Sequence, residues 1–409
     1  MKTAAWSRVR LGTVADLCLG KMLDQKKNRG ELLPYLANVN VRWGTFDLAD
    51  VKTMRFEPRE LERYGLRFGD IVMCEGGEPG RCAVWRDQVP GMMIQKALHR
   101  IRLTGELDYR FLFYQLLHIG KRGGFDKYFT GATIKHLPKE NLEKLEVVVP
   151  PLRIQRRIAD ILSAYDDLIY NCQRRIEILE QMARGLYREW FVKFRYPGHE
   201  SVPLVSSPLG EIPKGWEVRR LGDCFDTVLG GTPSRTKPEY WEGGTIAWIN
   251  SGKVNELRIV DASELITPLA LKKSNAKVMP RGATVLAITG ATLGQVSYLE
   301  IETAANQSVV GMVDQSGRLS EWIYLTVTAQ IDSIIARASG GAQQHINKEI
   351  VNDIALVLPP DRLAAEFKKI VAPIFRQIAV LLFQSRNLRQ TRDLLLPRLI
   401  SGQLEVDAA

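Results

Sequence analysis

A chain of 409 residues exceeds the usual size of a single core, so two domains with connecting elements are expected. Hydrophobic content of 45% with 25% charged residues suits a protein that folds in water, and no run approaches the 18 apolar residues of a membrane helix. A net charge of +10 favours an anionic partner, nucleic acid before membrane, because basic surfaces gain by releasing counterions from phosphates.

In chain order, the N-terminal MKTAAWSRVRL lacks the apolar stretch of a secretion signal, and a cytoplasmic location is expected. Five cysteines form no CxxC pair and five scattered histidines suggest no zinc site, so reduced, buried thiols are expected. Short β-branched or aromatic runs punctuated by Gly, Pro and Asp, such as FGDIVMC, predict strands in a mixed α/β domain over 1–151. At Val147-Val148-Val149 this pattern stops at Pro150-Pro151, and a charged helical pattern begins at once. Proline suits the first helical turn and disfavours a helical residue before it, so the pair joins strand to helix almost without a loop.

The helix is expected over 152–194. One apolar series runs Ile158, Tyr165, Cys172, Leu179, Leu186; a second runs Ile154, Ile161, Leu168 and, after a one-residue slip, Ile176, Ala183, Trp190. These sevens predict a coiled-coil seam. A linker rich in Pro, Gly and Ser is expected over 195–215, then a second mixed α/β domain over 216–360, in which RGATVLAIT reads as a strand and 321–338 as a helix. A second long helix is expected over 361–404, with Phe367, Ile374, Leu381, Leu388 and Leu395 by sevens and a kink at Pro373.

The second half repeats the first. Trp6, Arg10, Leu11 and Gly12 recur as Trp216, Arg220, Leu221 and Gly222, and GATIKHLPKENLEKLEVVVPP at 131–151 aligns without a gap to GGAQQHINKEIVNDIALVLPP at 340–360. The fold class expected is therefore α/β (α+β), two similar domains in tandem, each followed by a long helix. The two helices would pair as an antiparallel coiled coil with pseudo-two-fold symmetry, a rod of roughly 60 Å at ~1.5 Å per residue. Apolar residues outside the seam, Leu162, Ile169, Ile178, Met182, Tyr187 and Phe191 in one helix and Phe375, Leu382 and Phe383 in the other, exceed what a two-stranded coil covers. They are read as a surface for partner helices, the alternative being that they pack on the protein's own domains.

RRIEILEQMARGLYREWFVKFRYPGHE at 174–200, GGTPSRTKPEYWEGGTIAWINSGKV at 230–254, the two Pro-Pro joints and LRQTRDLLLPRLISGQLEV at 388–406 together resemble the DNA specificity subunit of type I restriction-modification enzymes, over essentially the whole chain. The resemblance implies two target recognition domains, each reading one half of an asymmetric bipartite site in double-stranded DNA. It further implies a coiled coil that sets their spacing and docks two methyltransferase subunits, and through them the restriction subunits, with no membrane association. S-adenosylmethionine, ATP and Mg are then expected on those partners only, and no cofactor on this chain. The first domain departs from the pattern, with LANVNVRWGTF where the second has WINSGKV.

No catalytic residues are expected. The Pro-Pro pairs read VPPL and LPPD, unlike the tetrad that clamps a flipped adenine; there is no GxGxxG, Walker A or HExxH, and Asp361, Glu366 and Lys368 only imitate a nuclease motif within a predicted helix. The DNA contacts expected in the first domain are Arg42, Trp43, Lys96, Arg122, Lys127 and Lys135, the last three lying in a stretch interleaved with Phe125, Tyr128 and Phe129. In the second they are Arg235, Ser251, Lys253, Gln307, Gln343, Gln344, His345 and Asn347, amides being suited to paired hydrogen bonds with adenine. Two rival readings are a single-chain, pseudo-dimeric transcription regulator on an asymmetric operator and a coiled-coil scaffold that holds protein. Competition by duplex DNA with steep salt dependence separates the scaffold from either reader.

Overall fold

The computed structural model describes residues 6–24, 28–338 and 345–406. It divides into two compact units, one comprising the chain up to Ile169 with the stretch from Asn387 onward, the other Tyr170–Arg386. Each contains a mixed α/β domain and segments of both long helices. Among the described residues no helix is long and apolar enough to cross a membrane.

In the first unit, strand Ser7–Arg10 pairs antiparallel with Glu146–Val149, in the register Ser7↔Val149. A four-stranded sheet follows the order Ala15–Leu19, Leu98–Leu103, Ile71–Cys74, Cys82–Val84. A three-stranded sheet of Lys52–Phe56, Glu31–Leu36 and Met93–Ile94 is interleaved with it along the chain. Helix Tyr109–Lys121 is capped by Asp108, whose carboxylate accepts from the Arg110 and Phe111 amides at 2.9 and 3.2 Å.

The Pro-Pro joint is closed by one buried side chain. Gln155, in the first turn of helix Leu152–Tyr187, donates from Nε2 to the carbonyls of Pro150 at 2.7 Å and Glu106 at 3.2 Å. Its Oε1 accepts from the Asp108 amide at 2.8 Å, so one amide ties the end of the strand, the start of the domain helix and the long helix together.

The second unit repeats the plan. Glu217–Arg220 pairs antiparallel with Ala355–Leu358 in the register Glu217↔Leu358. A five-stranded sheet runs Asp226–Leu229, Val309–Val313, Thr284–Ala287, Val296–Leu299, Arg258–Ile259, and a four-stranded sheet runs Glu264–Ile266, Ile246–Ile249, Thr303–Ala305, Val278–Met279. The helix read over 321–338 is two, Ser320–Ala329 and Ile331–Ile335, broken at Gln330. The stretch read as a linker carries a hairpin, Leu204–Ser207 against Gly210–Pro213.

Both long helices share the domain cores. In the first unit Ile158, Ala159 and Leu162 pack in one cluster with Leu396, Leu399 and Ile400 of helix Asp361–Ile400. In the second, Ala183, Tyr187, Trp190 and Phe191 pack with Phe367, Val371 and Phe375, the Phe191 and Phe367 rings meeting edge-on at 4.7 Å. The seam differs from its expected register. Leu168 is 50% exposed, whereas Leu162, Ile169, Ile176, Ala183 and Trp190 are buried, an unbroken series of sevens that needs no slip. Reading Ile154, Ile161 and Leu168 as the second series chose the wrong side of Ile158; the second long helix spans Asp361–Ile400 and includes Pro373.

Candidate DNA interface

In the first domain, loops from three parts of the chain are joined by backbone hydrogen bonds. The Glu75 amide donates to Ala97 at 2.8 Å, and the Leu137 amide donates to Glu75 at 2.8 Å. Thr130 and His136 exchange amide bonds of 2.8 and 2.9 Å, which close residues 131–135 into an exposed tip. Gly131 has φ of 89°, and a Cβ there would lie 2.2 Å from the Ile134 carbonyl oxygen, so the turn requires glycine.

The basic residues expected here are exposed and rest on aromatic rings. Lys127 Nζ lies 5.0 Å from the Tyr128 ring centre and Lys135 Nζ lies 5.5 Å from that of Phe129. Lys135 also pairs with Asp126 at 3.4 Å, an exposed contact that water weakens, and Arg122 is exposed beyond the end of the domain helix. Trp43 is 36% exposed; its Nε1 donates to Glu78 at 3.0 Å and its ring lies over Gly120, where a Cβ would be 2.3 Å from Cη2. Trp43, Phe125, Asp126 and Phe129 thus line one cavity. Arg42 is turned back on its own loop, donating to Val39 at 2.6 Å and to Asp47 at 3.3 Å. Lys96 is half-buried, its amide bound to the Lys21 carbonyl at 2.8 Å.

The second domain has the same scaffold with other side chains. The Ile346 amide donates to Ile288 at 2.9 Å, as Leu137 does to Glu75, and Thr289 bridges His345 as Thr130 bridges His136. Gln343 and Gln344 lie outside the described residues. His345 and Gln307 are exposed, with Gln307 Oε1 accepting from Thr232 at 2.5 Å, and Ser251 is half-buried in a turn capped by Asn250.

Three candidates in this domain also bond within the protein itself. Asn347 caps the helix Lys348–Asn352, its Oδ1 accepting from the Ile350 amide at 2.8 Å. Arg235 donates two hydrogen bonds to Glu264, of 2.6 and 2.7 Å, and stacks on Trp241 at 3.6 Å; the pair raises the arginine and lowers the Glu264 carboxyl from their ordinary values. Lys253 sits between Asp261 and Glu256. Burial works against its charge, but the two carboxylates outweigh burial and hold the ammonium above the ordinary lysine range.

The nine helix positions expected to face a partner divide. Leu162, Ile169, Tyr187, Phe191 and Phe375 are buried in the chain's own packing, so at these five the expectation is corrected: they were read as surplus because they fell outside the assumed seam. Leu382 and Phe383 are half-buried, and Ile178 and Met182 stand 46% and 54% exposed.

The largest feature missed in the sequence is Arg258, whose side chain is wholly buried. Its Nε and Nη2 donate to Glu180 Oε1 at 2.8 and 2.5 Å, its Nη1 donates to Glu300 at 3.1 Å, and its guanidinium stacks on Phe375 at 3.8 Å. It thereby ties the second domain to both long helices. In the first unit Tyr114 donates to Asp166 at 2.6 Å, Arg392 pairs with the same carboxylate, and Lys121 reaches Asp393 at 2.6 Å. Among the described residues, no group of three or more His, Cys, Asp or Glu side chains is gathered as a metal site.

The described residues form a duplicated α/β scaffold whose first copy exposes a basic, aromatic loop. The chain belongs to the family of type I restriction-modification DNA specificity subunits, which are noncatalytic: the family's "Type I restriction modification DNA specificity domain" matches it twice, over residues 5–181 and 213–379. It is 28% identical over 280 residues to the type I restriction enzyme MjaIX specificity subunit of Methanocaldococcus jannaschii, a match covering 68% of this chain and 65% of that one. It is 22% identical over 331 residues to the HindI specificity subunit of Haemophilus influenzae, covering 66% of this chain and 72% of that one. The crystal structure of a type I restriction-modification system S subunit from M. genitalium shares the fold, with a TM-score of 0.61 at 17% identity, covering 98% of this chain and 97% of the other.

Proposed function

We propose that each domain reads one half of an asymmetric bipartite site in duplex DNA, and that the two long helices, paired antiparallel with pseudo-two-fold symmetry, set the separation of the halves. The exposed helix face around Ile178 and Met182 docks two methyltransferase subunits, through which restriction subunits join. S-adenosylmethionine, ATP and Mg act on those partners. One observation carries the reading: the same backbone bonds, Leu137 to Glu75 and Ile346 to Ile288, support loops of unlike chemistry in the two halves. A duplicated scaffold with exchanged reading loops is what two different half-sites require. Each good base contact discriminates by ~1–3 kcal/mol, so one domain reading a few pairs is weakly selective. Linking two domains makes the second engagement effectively intramolecular.

Selection of bound sequences from random duplexes, with the chain coexpressed with its methyltransferase, tests this. Two separated half-sites are expected, and insertion of seven residues in the seam of each helix changes the gap while leaving the bases alone. A single contiguous site, or new half-site bases with an unchanged gap, refutes it.

A further inference from the structure

The cavity beside Trp43 is not explained by reading base edges in a groove. We infer that it takes one unstacked base of the bound DNA, an inference that rests on the DNA-reading proposal above. The cavity holds about 320 Å³, at the small end for ligand sites, which fits a single planar ring system. Its walls are Trp43, Pro79, Phe125 and Phe129, and its polar edges include the carboxylates of Glu78 and Asp126.

Both principal rings are seated in advance. Trp43 lies on Gly120, at a distance no Cβ would permit, and is pinned through Nε1 to Glu78 at 3.0 Å; Phe125 lies on Gly80, where a Cβ would be 2.6 Å from its ring. A planar ligand therefore meets the seated, 36% exposed Trp43 ring, with the buried Phe125 ring in the cavity wall, and stacking on an aromatic side chain is how proteins hold unstacked bases. The polar edge fits the same ligand. The carboxylates of Glu78 and Asp126 accept hydrogen bonds from the ring and amino N–H groups of a base, while Lys121, which also lines the cavity, is paired with Asp393 at 2.6 Å. Lys135 and Lys127 stand on the Phe129 and neighbouring Tyr128 rings outside, where the backbone of an extruded nucleotide would pass.

The second domain keeps the seat without the aromatic ring: Ile335 lies against Gly294, whose Cβ would be 2.3 Å from it. Base capture thus belongs to the first domain's half-site.

The test uses the full-length chain and duplexes of its selected site, with each base pair of the first domain's half-site mispaired in turn by changing one strand or the other. A base that must leave the stack leaves most readily when unpaired, so mispairing at one position is expected to tighten binding about 10-fold. Trp43→Ala abolishes that gain and loosens the intact site about 10-fold, Trp43→Phe keeps the gain, and Arg122→Ala loosens all duplexes alike while keeping it. The inference is overturned if no mispair tightens binding, or if Trp43→Ala weakens intact and mispaired duplexes equally. It is also overturned if Trp43→Ala impairs only copurification with the methyltransferase, which would make the occupant a protein side chain. Half-site selectivity that survives any of these results leaves the DNA-reading proposal standing; its loss in the unmodified chain would remove both.

Discussion

Replacing Arg258 by methionine removes the one cation shared by two buried carboxylates, and its cost can be worked from the contacts. Taking one partner from a buried ion pair typically costs ~3–5 kcal/mol, mostly because the remaining charge stays buried and unpaired. Here Glu300 retains Arg281 at 3.2 Å, and Glu180 retains Arg184 at 3.7 Å, both arginines being largely exposed. Those partners soften the loss, so about 3 kcal/mol is expected. Adding Glu180→Gln to Arg258→Met removes a stranded charge and should recover at least ~1 kcal/mol. The pH response has a definite sign. Burial pushes the Glu300 carboxyl above its ordinary 4.5, and loss of Arg258 pushes it further. The folded state then keeps a proton that the unfolded chain has released, so stability falls as pH rises through that window and is regained as pH falls. Urea denaturation of the variant at pH 7.5 and 5.5 should show a smaller defect at 5.5. A cost below ~1 kcal/mol, or a defect indifferent to both pH and the second substitution, would refute the view of Arg258 as the charge that makes this junction tolerable.

Arg122→Ala and Lys135→Ala should each lower the salt slope of DNA binding by about 1 without changing the selected sequence, measured by titration at several ionic strengths; an unchanged slope removes either residue from the phosphate track. His99 is wholly buried, with Nε2 at 2.8 Å from the Leu137 carbonyl, and burial holds it below the ordinary 6.5. Its neutral form supports the first unit fully above the unfolded value, and this support is lost as pH falls through the folded one. His99→Leu should therefore flatten the acid side of the stability profile, read by denaturation between about pH 7 and 5. Leu162→Ala, which empties a buried site, should cost ~2–5 kcal/mol. Met182→Ala should leave stability within ~0.5 kcal/mol and instead reduce methyltransferase copurification.

The two Pro-Pro joints, the duplication and the strand–helix order were legible because they rest on local chemistry, above all the fixed φ of proline and apolar period. The seam was legible in kind and misread in register. Ile154–Ile158 and Ile158–Leu162 both satisfy a three-or-four spacing, and only the domain core that buries Leu162 decides between them. Interface chemistry was harder to read. Arg235 and Glu264 stand 29 residues apart in sequence and meet only in the fold, where the guanidinium donates two hydrogen bonds to the carboxylate. Asn347 precedes Lys348 and Glu349 as an ordinary helix cap does, a signal that could have been read in advance. Arg258 gave none, because nothing in the local sequence distinguishes a buried arginine from a surface one until Glu180, Glu300 and Phe375 are brought around it.

The same distinction holds between the two halves of the scaffold. What recurs between the halves is backbone: Leu11 to Leu145 and Leu221 to Ile354 at the joint, and Leu137 to Glu75 and Ile346 to Ile288 under the loops. Side chains at equivalent places have parted. Gln155 closes the first joint with three side-chain hydrogen bonds, whereas the second has Ala364 there, whose side chain can make none and whose amide donates to Pro360 at 3.0 Å. Because the amide bonds carry the geometry whatever the side chains are, a loop can change from lysines and aromatics to polar residues without moving the strands beneath it. On the proposed function, such independence would let one half take a new half-site while keeping the frame that holds it.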